Sequence, residues 1–336
     1  NIFHGDNAQG KTNILEAVYL AGTTKSHRGT KDRDMISFGE EESHIEVKVL
    51  KNGVPFRIDI HLKKNSPKGA AINRMPVKRA SELFGIINLV FFSPEDLNII
   101  KNGPAQRRRF MDLELSQLDK IYLNNLADYN RVVNQRNRLL KEMAFQEKLK
   151  DTLEIWDMQL VRYGERVMEG RKKFLREINE IVGDIHGKLT GGRERLVMEY
   201  EPSTGELSLE EAVRRDRERD IRMKSTSAGP HRDDICFKIK DMDIRKFGSQ
   251  GQQRTAALSL KLAEIEIVKR VIHDTPVLLL DDVLSELDKH RQNYLLDSIH
   301  DIQTLITCTG VEEFVNHRFS INKVFLVQNG QVTNEN

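Results

Sequence analysis

The sequence predicts an α/β protein in which a mixed β-sheet domain is interrupted by a helical subdomain. Three segments predict this class: a strand, glycine-rich loop and helix near the start, a long helical pattern, and a late apolar strand that ends in two aspartates. Such a combination is typical of a sheet that is covered by helices. We expect a discontinuous head domain at residues 1–102 and 190–336, with a helical subdomain at residues 103–189.

The composition limits the classes of protein that fit. Among 336 residues, 53 are basic and 51 are acidic, so the net charge of +2 excludes a bulk polycation. No apolar run approaches the ~20 residues of a membrane span. Cys236 and Cys308 lie far apart and lack metal-ligand spacing, which indicates a reducing compartment. We therefore expect a cytoplasmic protein without a membrane partner.

The first element is a phosphate-binding loop. Residues 5–12 read GDNAQGKT, the spacing G-x-x-x-x-G-K-[ST], in which backbone N–H groups and a helix amino end bind phosphates. The lysine adds positive charge and the threonine hydroxyl is a magnesium ligand. Residues 1–4 resemble the end of a strand, and apolar residues from Ile14 to Val18 predict the helix. Because so short a strand precedes the loop, we expect the native protein to extend further at its amino end.

Basic clusters are the candidates for nucleic-acid binding. The first comprises Lys25, Arg28, Lys31 and Arg33, and the second comprises Arg107, Arg108 and Arg109. Runs of charge usually mark a solvated face. We favour the first cluster for DNA because it belongs to the lobe that carries the phosphate loop. The arginine triplet either ties the helical subdomain to the head or faces the nucleotide.

The remaining elements follow from periodicity. Alternating apolar residues over 43–62, with Asn52-Gly53 between them, predict a β-hairpin, and residues 86–92 predict a buried strand. Pro104 suits the first turn of a helix, and apolar residues at helical spacing predict two long helices across the subdomain. Within them we expect Trp156 to pack in the core rather than bind a ligand. Further strands are predicted at residues 195–200 and 235–240, separated by a helix with a capping box at residues 208–211.

Two later segments supply candidate chemistry. Ser249 and Gly251 stand at the start of a helix, where a hydroxyl and free N–H groups predict a second anion site; such a segment alone is most often just a capped helix start. Farther on, the apolar strand at residues 277–280 delivers Asp281 and Asp282 at its carboxyl end, where ligands of such sheets bind. Together with the phosphate loop, these acids predict that Asp281 holds Mg²⁺ through water beside Thr12. Asp282 would orient or deprotonate the attacking water.

Six segments, in order, resemble the RecF family of bacterial recombination-mediator ATPases, which is related to Rad50 and the SMC proteins. They are GDNAQGKTN (5–13), SPEDL (93–97), GPAQRRRFMD (103–112), GPHRDD (229–234), SQGQQR (249–254) and LLLDDVLSELD (278–288). The resemblance implies a two-lobed ABC-type P-loop ATPase head, in which a helical subdomain replaces a long coiled coil. It also implies that two ATP molecules are sandwiched in a head-to-tail homodimer.

The family's functional residues transfer to matching positions of this chain. The expected cis ATP-binding set is Gly5, Asp6, Asn7, Ala8, Gln9, Gly10, Lys11, Thr12 and Asn13. The expected trans set is Ser249, Gly251 and Gln252. Among these, the resemblance gives Lys11 and Ser249 catalytic roles together with Asp282, and it places Asp288 at the dimer interface.

The resemblance further implies a weak, DNA-dependent ATPase that is associated with the nucleoid. ATP would close the dimer around double-stranded or gapped DNA, slow hydrolysis would release it, and RecR and RecO would cooperate to load RecA. The chain departs from the wider class at three places: Asp282 replaces the usual glutamate, Thr307 or Thr309 replaces a switch histidine, and the SPEDL segment lacks the magnesium-contacting glutamine. In that segment the roles of Ser93, Glu95 and Asp96 stay unassigned.

Two alternatives remain open on the sequence. The ATPase subunit of a membrane transporter carries the same three motifs, although there the phosphate loop and signature lie only ~100 residues apart in a compact domain. A non-hydrolysing scaffold that uses ATP only to dimerise is the other alternative. The shorter acid at Asp282 fits slow turnover and does not separate these cases.

Overall fold

The computed structural model describes residues 1–143, 151–310 and 323–335, apart from the side chain of Ala80. The chain divides into two compact units. The first combines Asn1–Asp96 with Leu260–Asn336, and the second comprises Leu97–Ser259. An α/β fold with mixed sheets and helices was predicted, and it is confirmed.

A six-stranded sheet organises the first unit. Its strands are β1 (Ile2–His4), β6 (Leu89–Phe92), β10 (Val277–Asp281), β11 (Thr304–Cys308), β12 (Val324–Gln328) and β13 (Gln331–Asn334). The order is β13-β12-β1-β11-β10-β6, and only β13 runs antiparallel to its neighbour. Helices α1 (Lys11–Thr23) and α9 (Lys289–Ser298) also belong to this unit. Because β11 lies between β1 and β10, the loops that follow these two strands emerge at the same edge.

A second, antiparallel sheet in the first unit contains the predicted hairpin. Its strands are β2 (Glu42–Lys51), β3 (Val54–Lys63), β4 (Ser66–Ile72) and β5 (Met75–Pro76). Asn52 and Gly53 form the turn with φ values of 50° and 76°, as a two-residue hairpin turn with both central residues at positive φ requires. The hairpin prediction is therefore confirmed, including the residues of its turn.

Helices dominate the second unit. They are α2 (Leu97–Lys101), α3 (Pro104–Leu118), α4 (Lys120–Glu142), α5 (Leu153–Leu189), α6 (Leu209–Met223), α7 (Ile244–Phe247) and the first part of α8 (Gln250–Ile272). The first long helix differs from the prediction, because Asp119 interrupts it. The Asp119 carboxylate accepts hydrogen bonds from the N–H groups of Ile121 and Tyr122, so it ends α3 and caps α4.

A three-stranded sheet completes the second unit. It consists of β7 (Leu196–Glu201), β8 (Asp234–Ile239) and β9 (Met242–Asp243). The predicted capping box is confirmed at α6, where the Ser208 hydroxyl accepts from the Glu211 N–H and the Glu211 carboxylate accepts from the Ser208 N–H. Trp156 packs against a buried cluster of Leu139, Leu140 and Leu153, as expected of a core residue.

The compact units do not follow the predicted domain limits. The second unit begins at Leu97 and continues to Ser259, whereas the helical subdomain was predicted at residues 103–189. The reason is packing: β7 lies against α5, and α3 lies against β8. Compact packing units are not the same as domains, so they do not test the predicted domain limits, which stay a prediction.

Candidate ATP-binding and signature sites

The phosphate loop follows β1 and contains residues in a backbone conformation that favours glycine. Gly5 has φ 146° and Gly10 has φ 101°, and a Cβ at Gly5 would lie 2.4 Å from the carbonyl oxygen of Val327. Gly10 is also the N-cap of α1, and no side chain caps this helix end. Its orphan N–H groups and helix dipole therefore remain available to an anion.

Lys11 lies across this loop. Its Nζ donates to the carbonyl oxygens of Gly5 at 2.6 Å and Asp6 at 2.8 Å, and the residue is only 9% exposed. These bonds place a positive charge inside the loop rather than in solvent. A phosphate group at the α1 amino end would therefore meet both N–H groups and an ammonium.

Thr12 and Asp281 meet although they are far apart in sequence. The Thr12 hydroxyl donates to Asp281 Oδ1 at 2.9 Å, and the Thr307 hydroxyl donates to the same oxygen at 2.7 Å. Asp281 is 8% exposed and is paired in register with Thr307 across β10 and β11. Both bonds end on Oδ1, and Oδ2 accepts no hydrogen bond from the described residues. The geometry thus brings together the two predicted magnesium residues.

These residues fit a magnesium ion. Mg²⁺ is usually bound by one or two carboxylates together with substrate phosphates and water, and all its ligands are oxygens. Asp281 and Thr12 supply such oxygens beside the phosphate loop. No group of three or more His, Cys, Asp or Glu residues within the described ranges forms a metal site of its own. A magnesium ion here would therefore depend on phosphate oxygens as well as on the protein.

Asp282 occupies an unusual backbone position directly after β10. Its φ is 52°, and its N–H donates to the Thr307 hydroxyl at 3.2 Å. The Ser285 hydroxyl donates to the Asp282 carbonyl at 2.8 Å, which stabilises this turn. The Asp282 residue is exposed, in contrast to buried Asp281. The two adjacent acids therefore have different environments, as different roles require.

Of the two candidates for the missing switch histidine, Thr307 contacts Asp281, whereas Thr309 is exposed beyond β11.

The candidate signature site lies at the amino end of α8, in the second unit. The Ser249 hydroxyl accepts from the Gln252 N–H at 3.2 Å, and the Gln252 side-chain oxygen accepts from the Ser249 N–H at 2.9 Å. This reciprocal capping leaves the hydroxyl proton of Ser249 available to an external acceptor. Gln252 also donates to Glu194 Oε1 at 2.8 Å, so its amide shapes the helix end. Ser249 and Gly251 are exposed.

The predicted DNA-binding cluster lies on the segment after α1. Lys25, Arg28, Lys31 and Arg33 are all exposed. Arg33 pairs with Asp34 at 3.5 Å, whereas no ion pair joins the other three to the described residues. The accessible positive charge is therefore concentrated at Lys25, Arg28 and Lys31.

The arginine triplet has a structural role at two of its positions. Arg107 is 1% exposed, and its guanidinium donates to both carboxylate oxygens of Asp234, at 2.6 and 2.8 Å. Arg108 donates to the Asp233 carbonyl at 2.8 Å. These bonds join α3 to the start of β8. The sequence left two roles open for the triplet, a structural tie or a contact with the nucleotide, and the bonds of Arg107 and Arg108 support the structural role.

The GPHRDD segment is likewise built into the fold. Asp233 is fully buried and accepts bonds from the Tyr200 hydroxyl and the Ser203 N–H. His231 Nε2 donates to the Thr226 carbonyl at 3.1 Å, which leaves Nδ1 to accept from the Tyr129 hydroxyl at 2.6 Å. In this arrangement the imidazole is neutral, with its proton on Nε2.

The His231 network predicts a pH-dependent stability. Burial lowers the pKa of His231 to about 4, so between pH 6.5 and 4 the unfolded chain binds a proton that the folded chain does not. Stability therefore falls as the pH decreases through this window. The His231→Gln variant should lack this acid-dependent loss of stability, which is on the order of 3 kcal/mol over the window. Urea unfolding followed by Trp156 fluorescence at several pH values would measure it. The exposed His300→Gln serves as control, and an unchanged acid slope in His231→Gln would contradict the assignment.

One structural partner of the site gave no sequence signal. The turn between β12 and β13 contacts the phosphate loop: Gly330 N–H donates to the Gln9 carbonyl at 3.0 Å, and Asn329 N–H donates to the Gln9 side chain at 2.7 Å. In the SPEDL segment, Asp96 accepts from the Ser93 N–H at 2.8 Å, and burial raises the pKa of Asp96 to about 6. Asp96 thus stabilises its own turn.

Comparison with known proteins first gives the class. In the described ranges, no helix is long and apolar enough to cross a membrane. A solved Smc head domain from Pyrococcus furiosus aligns with 99% of this chain and 89% of its own, at a TM-score of 0.54 and 16% identity. Together with the phosphate loop and the strand-end aspartate, this similarity defines the fold as that of an SMC-type P-loop ATPase head.

Closer relatives define the family within that class. The DNA replication and repair protein RecF of Lachnospira eligens is 64% identical over all of this chain and 93% of its own length, and that of Clostridium botulinum is 44% identical over 99% and 92%. A solved RecF–ATP structure aligns with 100% of this chain at a TM-score of 0.93 and 35% identity, covering 91% of its own chain. No protein-family model matches. The chain belongs to the RecF family, which excludes the transporter-subunit alternative.

Proposed function

We propose that this chain is a recombination-mediator ATPase in which ATP acts as a dimerisation switch on DNA. The observation that carries the proposal is the convergence of Lys11, Thr12 and Asp281 at the carboxyl edge of the six-stranded sheet. A similar chain has been solved as RecF–ATP of the RecFOR pathway, which supports ATP as the nucleotide and RecO and RecR as partners.

In the proposed site, each group of residues has a separate role. The N–H groups of residues 5–13 and the Lys11 ammonium bind and neutralise the phosphates. Thr12 and Asp281 hold a magnesium ion, which supplies Lewis-acid stabilisation of phosphoryl charge when bound. Asp282 orients or deprotonates the attacking water.

The signature residues complete the proposed site from a second copy of the chain. Ser249 presents its hydroxyl proton and Gly251 its N–H at an exposed helix amino end. The exposed ring of Phe247, 71% accessible, adds apolar surface beside them for a protein contact. The resulting head-to-tail dimer would clamp double-stranded or gapped DNA through the basic cluster, release it on slow hydrolysis, and help RecO and RecR to load RecA. Contacts to the DNA backbone should be sensitive to salt and nearly independent of sequence.

Asp282→Asn separates a hydrolysing switch from a non-hydrolysing scaffold. Asparagine tolerates the positive φ at this position, so the backbone should be retained. We expect ATP hydrolysis to slow by at least about 100-fold while ATP binding persists, because only the water-activating carboxylate is lost. The ATP-bound dimer should therefore remain on duplex DNA longer, as measured by competitor-challenge dissociation.

The matched control is Asp274→Asn, which changes an exposed aspartate just before the same strand. Its turnover and its dimer lifetime should match those of the unsubstituted chain. If Asp282→Asn hydrolysed ATP at the normal rate, the proposed role of Asp282 would be wrong. If the unsubstituted chain dimerised with ATP and showed no turnover, the scaffold would replace the hydrolysing switch.

A further inference from the structure

A buried side-chain cluster joins the nucleotide helix to the basic segment that follows it. Glu16 lies four residues after Thr12 on α1, hence on the same face of that helix, and it is 7% exposed. Its carboxylate accepts a hydrogen bond from the hydroxyl of Ser26, which is 2% exposed. The Thr30 hydroxyl donates to Ser26 Oγ at 2.9 Å. Ser26 is therefore attached directly to the Glu16 carboxylate, and Thr30 is attached to it through Ser26.

His27 gives the segment a second attachment. Its ring lies 4.3 Å from that of Phe91 and 5.8 Å from that of Tyr19, measured between centroids. Phe91 belongs to β6, which pairs with β10, the strand that ends in Asp281. Burial lowers the pKa of His27, although Glu16, Asp281 and Glu95 oppose this shift and Arg28 adds to it. The neutral ring therefore packs as an aromatic group.

Two of the accessible cations lie directly on this anchored segment. Lys25 and Arg28 flank the buried Ser26-His27 pair, and both are exposed. A free segment would lose conformational entropy each time its cations bound a phosphate backbone. A segment that is already attached at Ser26 and His27 has lost much of that freedom beforehand. The buried residues therefore preorganise the exposed ones.

We infer that Glu16 is a positioning residue which, through Ser26, holds Lys25 and Arg28 in place for the DNA phosphate backbone and couples this contact to the nucleotide helix. The inference rests on the proposed function, since it takes the basic cluster as the DNA-binding surface. Thr12 and Glu16 occupy successive turns of α1, so a displacement of this helix at the phosphates moves the carboxylate that holds the segment.

Three variants of the full chain test the inference. Glu16→Ala removes the acceptor, and Ser26→Ala removes the hydroxyl while leaving α1 intact. Both should weaken ATP-dependent binding to duplex DNA about tenfold, with the affinity for ATP alone within twofold. Glu16→Gln should restore DNA binding to nearly the unsubstituted value, because its amide oxygen accepts the same hydroxyl proton. Glu40→Ala, at an exposed carboxylate, is the matched control.

A salt titration distinguishes positioning from a general loss of structure. The magnitude of the slope of log affinity against log salt reports the number of phosphate contacts. Glu16→Ala and Ser26→Ala should therefore reduce this magnitude by about two. Partial unfolding would instead reduce the active fraction without changing this slope. Loss of ATP binding in Ser26→Ala, or an unchanged slope, would overturn the inference.

The double variant Lys25→Ala, Arg28→Ala separates this inference from the proposed function. If the double variant loses DNA affinity and Glu16→Ala and Ser26→Ala do not, Glu16 has no positioning role and the basic cluster remains the DNA-binding surface. If the double variant binds DNA normally, the cluster does not contact DNA. Both the DNA-binding surface and the positioning role of Glu16 would then be wrong. Losses in the double variant and in both single alanine variants, with rescue by Glu16→Gln, support the inference.

Discussion

Ser249→Arg is expected to abolish ATP-driven dimerisation and to leave ATP binding by the monomer within about twofold of normal. Ser249 caps α8 and is exposed, so the larger side chain fits the isolated chain. In the proposed dimer, however, this position faces the phosphates held by the opposite copy, where a long side chain displaces the hydroxyl and the helix end. Sedimentation velocity with and without ATP and duplex DNA measures the result directly.

Ser208→Arg provides the matched control for this experiment. Ser208 caps α6 with the same reciprocal arrangement, through Glu211, and is also exposed. Loss of one capping hydroxyl costs about 1 kcal/mol at either helix, so both variants should remain folded. Only Ser249→Arg should stay monomeric with ATP. A Ser249→Arg protein that dimerises normally would show that the α8 amino end does not complete the ATP site.

The largest expected effect on stability comes from Arg136→Met. Arg136 is fully buried in the second unit, where it donates to Asp157 at 2.7 Å, to Asp220 at 2.7 Å and to Thr226 at 2.9 Å. Methionine keeps much of the volume but leaves two carboxylates without their main partner. Removal of one member of such a buried network costs about 3–5 kcal/mol of unfolding free energy.

The single tryptophan makes this loss measurable in the correct unit. Trp156 packs near Leu139 and Leu153 in the second unit, so its fluorescence during urea unfolding reports that unit. Arg138→Met, two residues away, removes an exposed arginine whose one ion pair with the described residues is to Glu142 along the helix, and it should cost less than about 0.5 kcal/mol. Similar unfolding midpoints for the two variants would contradict a stabilising role of the Arg136 network.

Local sequence features predicted several elements of the fold and part of the site. The Asn52-Gly53 pair permits the positive φ values of a tight turn, and the alternation on either side allows one strand pairing. Gly5, Gly10 and Lys11 lie within one short segment, so their joint role is readable without knowledge of the fold. The proximity of Thr12 and Asp281 could also be predicted, because a buried apolar strand followed by acids indicates the edge of a sheet where ligands bind.

Other features could not be predicted because their partners are distant in sequence or chemically ordinary. The Gln9 contact with Gly330 joins residues 321 positions apart, and no local pattern in the sequence indicates that they meet. Arg107 is part of a charge run, which usually indicates a solvated surface, yet it is 1% exposed. A run of charge contains no information on which of its members finds a buried carboxylate.

By itself, then, the sequence determined the phosphate loop, the strand-end acids, the helix start at Ser249 and the α/β class, since each depends on neighbours within a few residues. The tertiary structure alone decided that Thr307 shares Asp281 with Thr12, that Arg107 is structural, and that Glu16 holds the segment bearing Lys25 and Arg28. The physical reason is that burial and hydrogen-bond pairing depend on which surfaces pack together, and strands or helices far apart in sequence supply those surfaces.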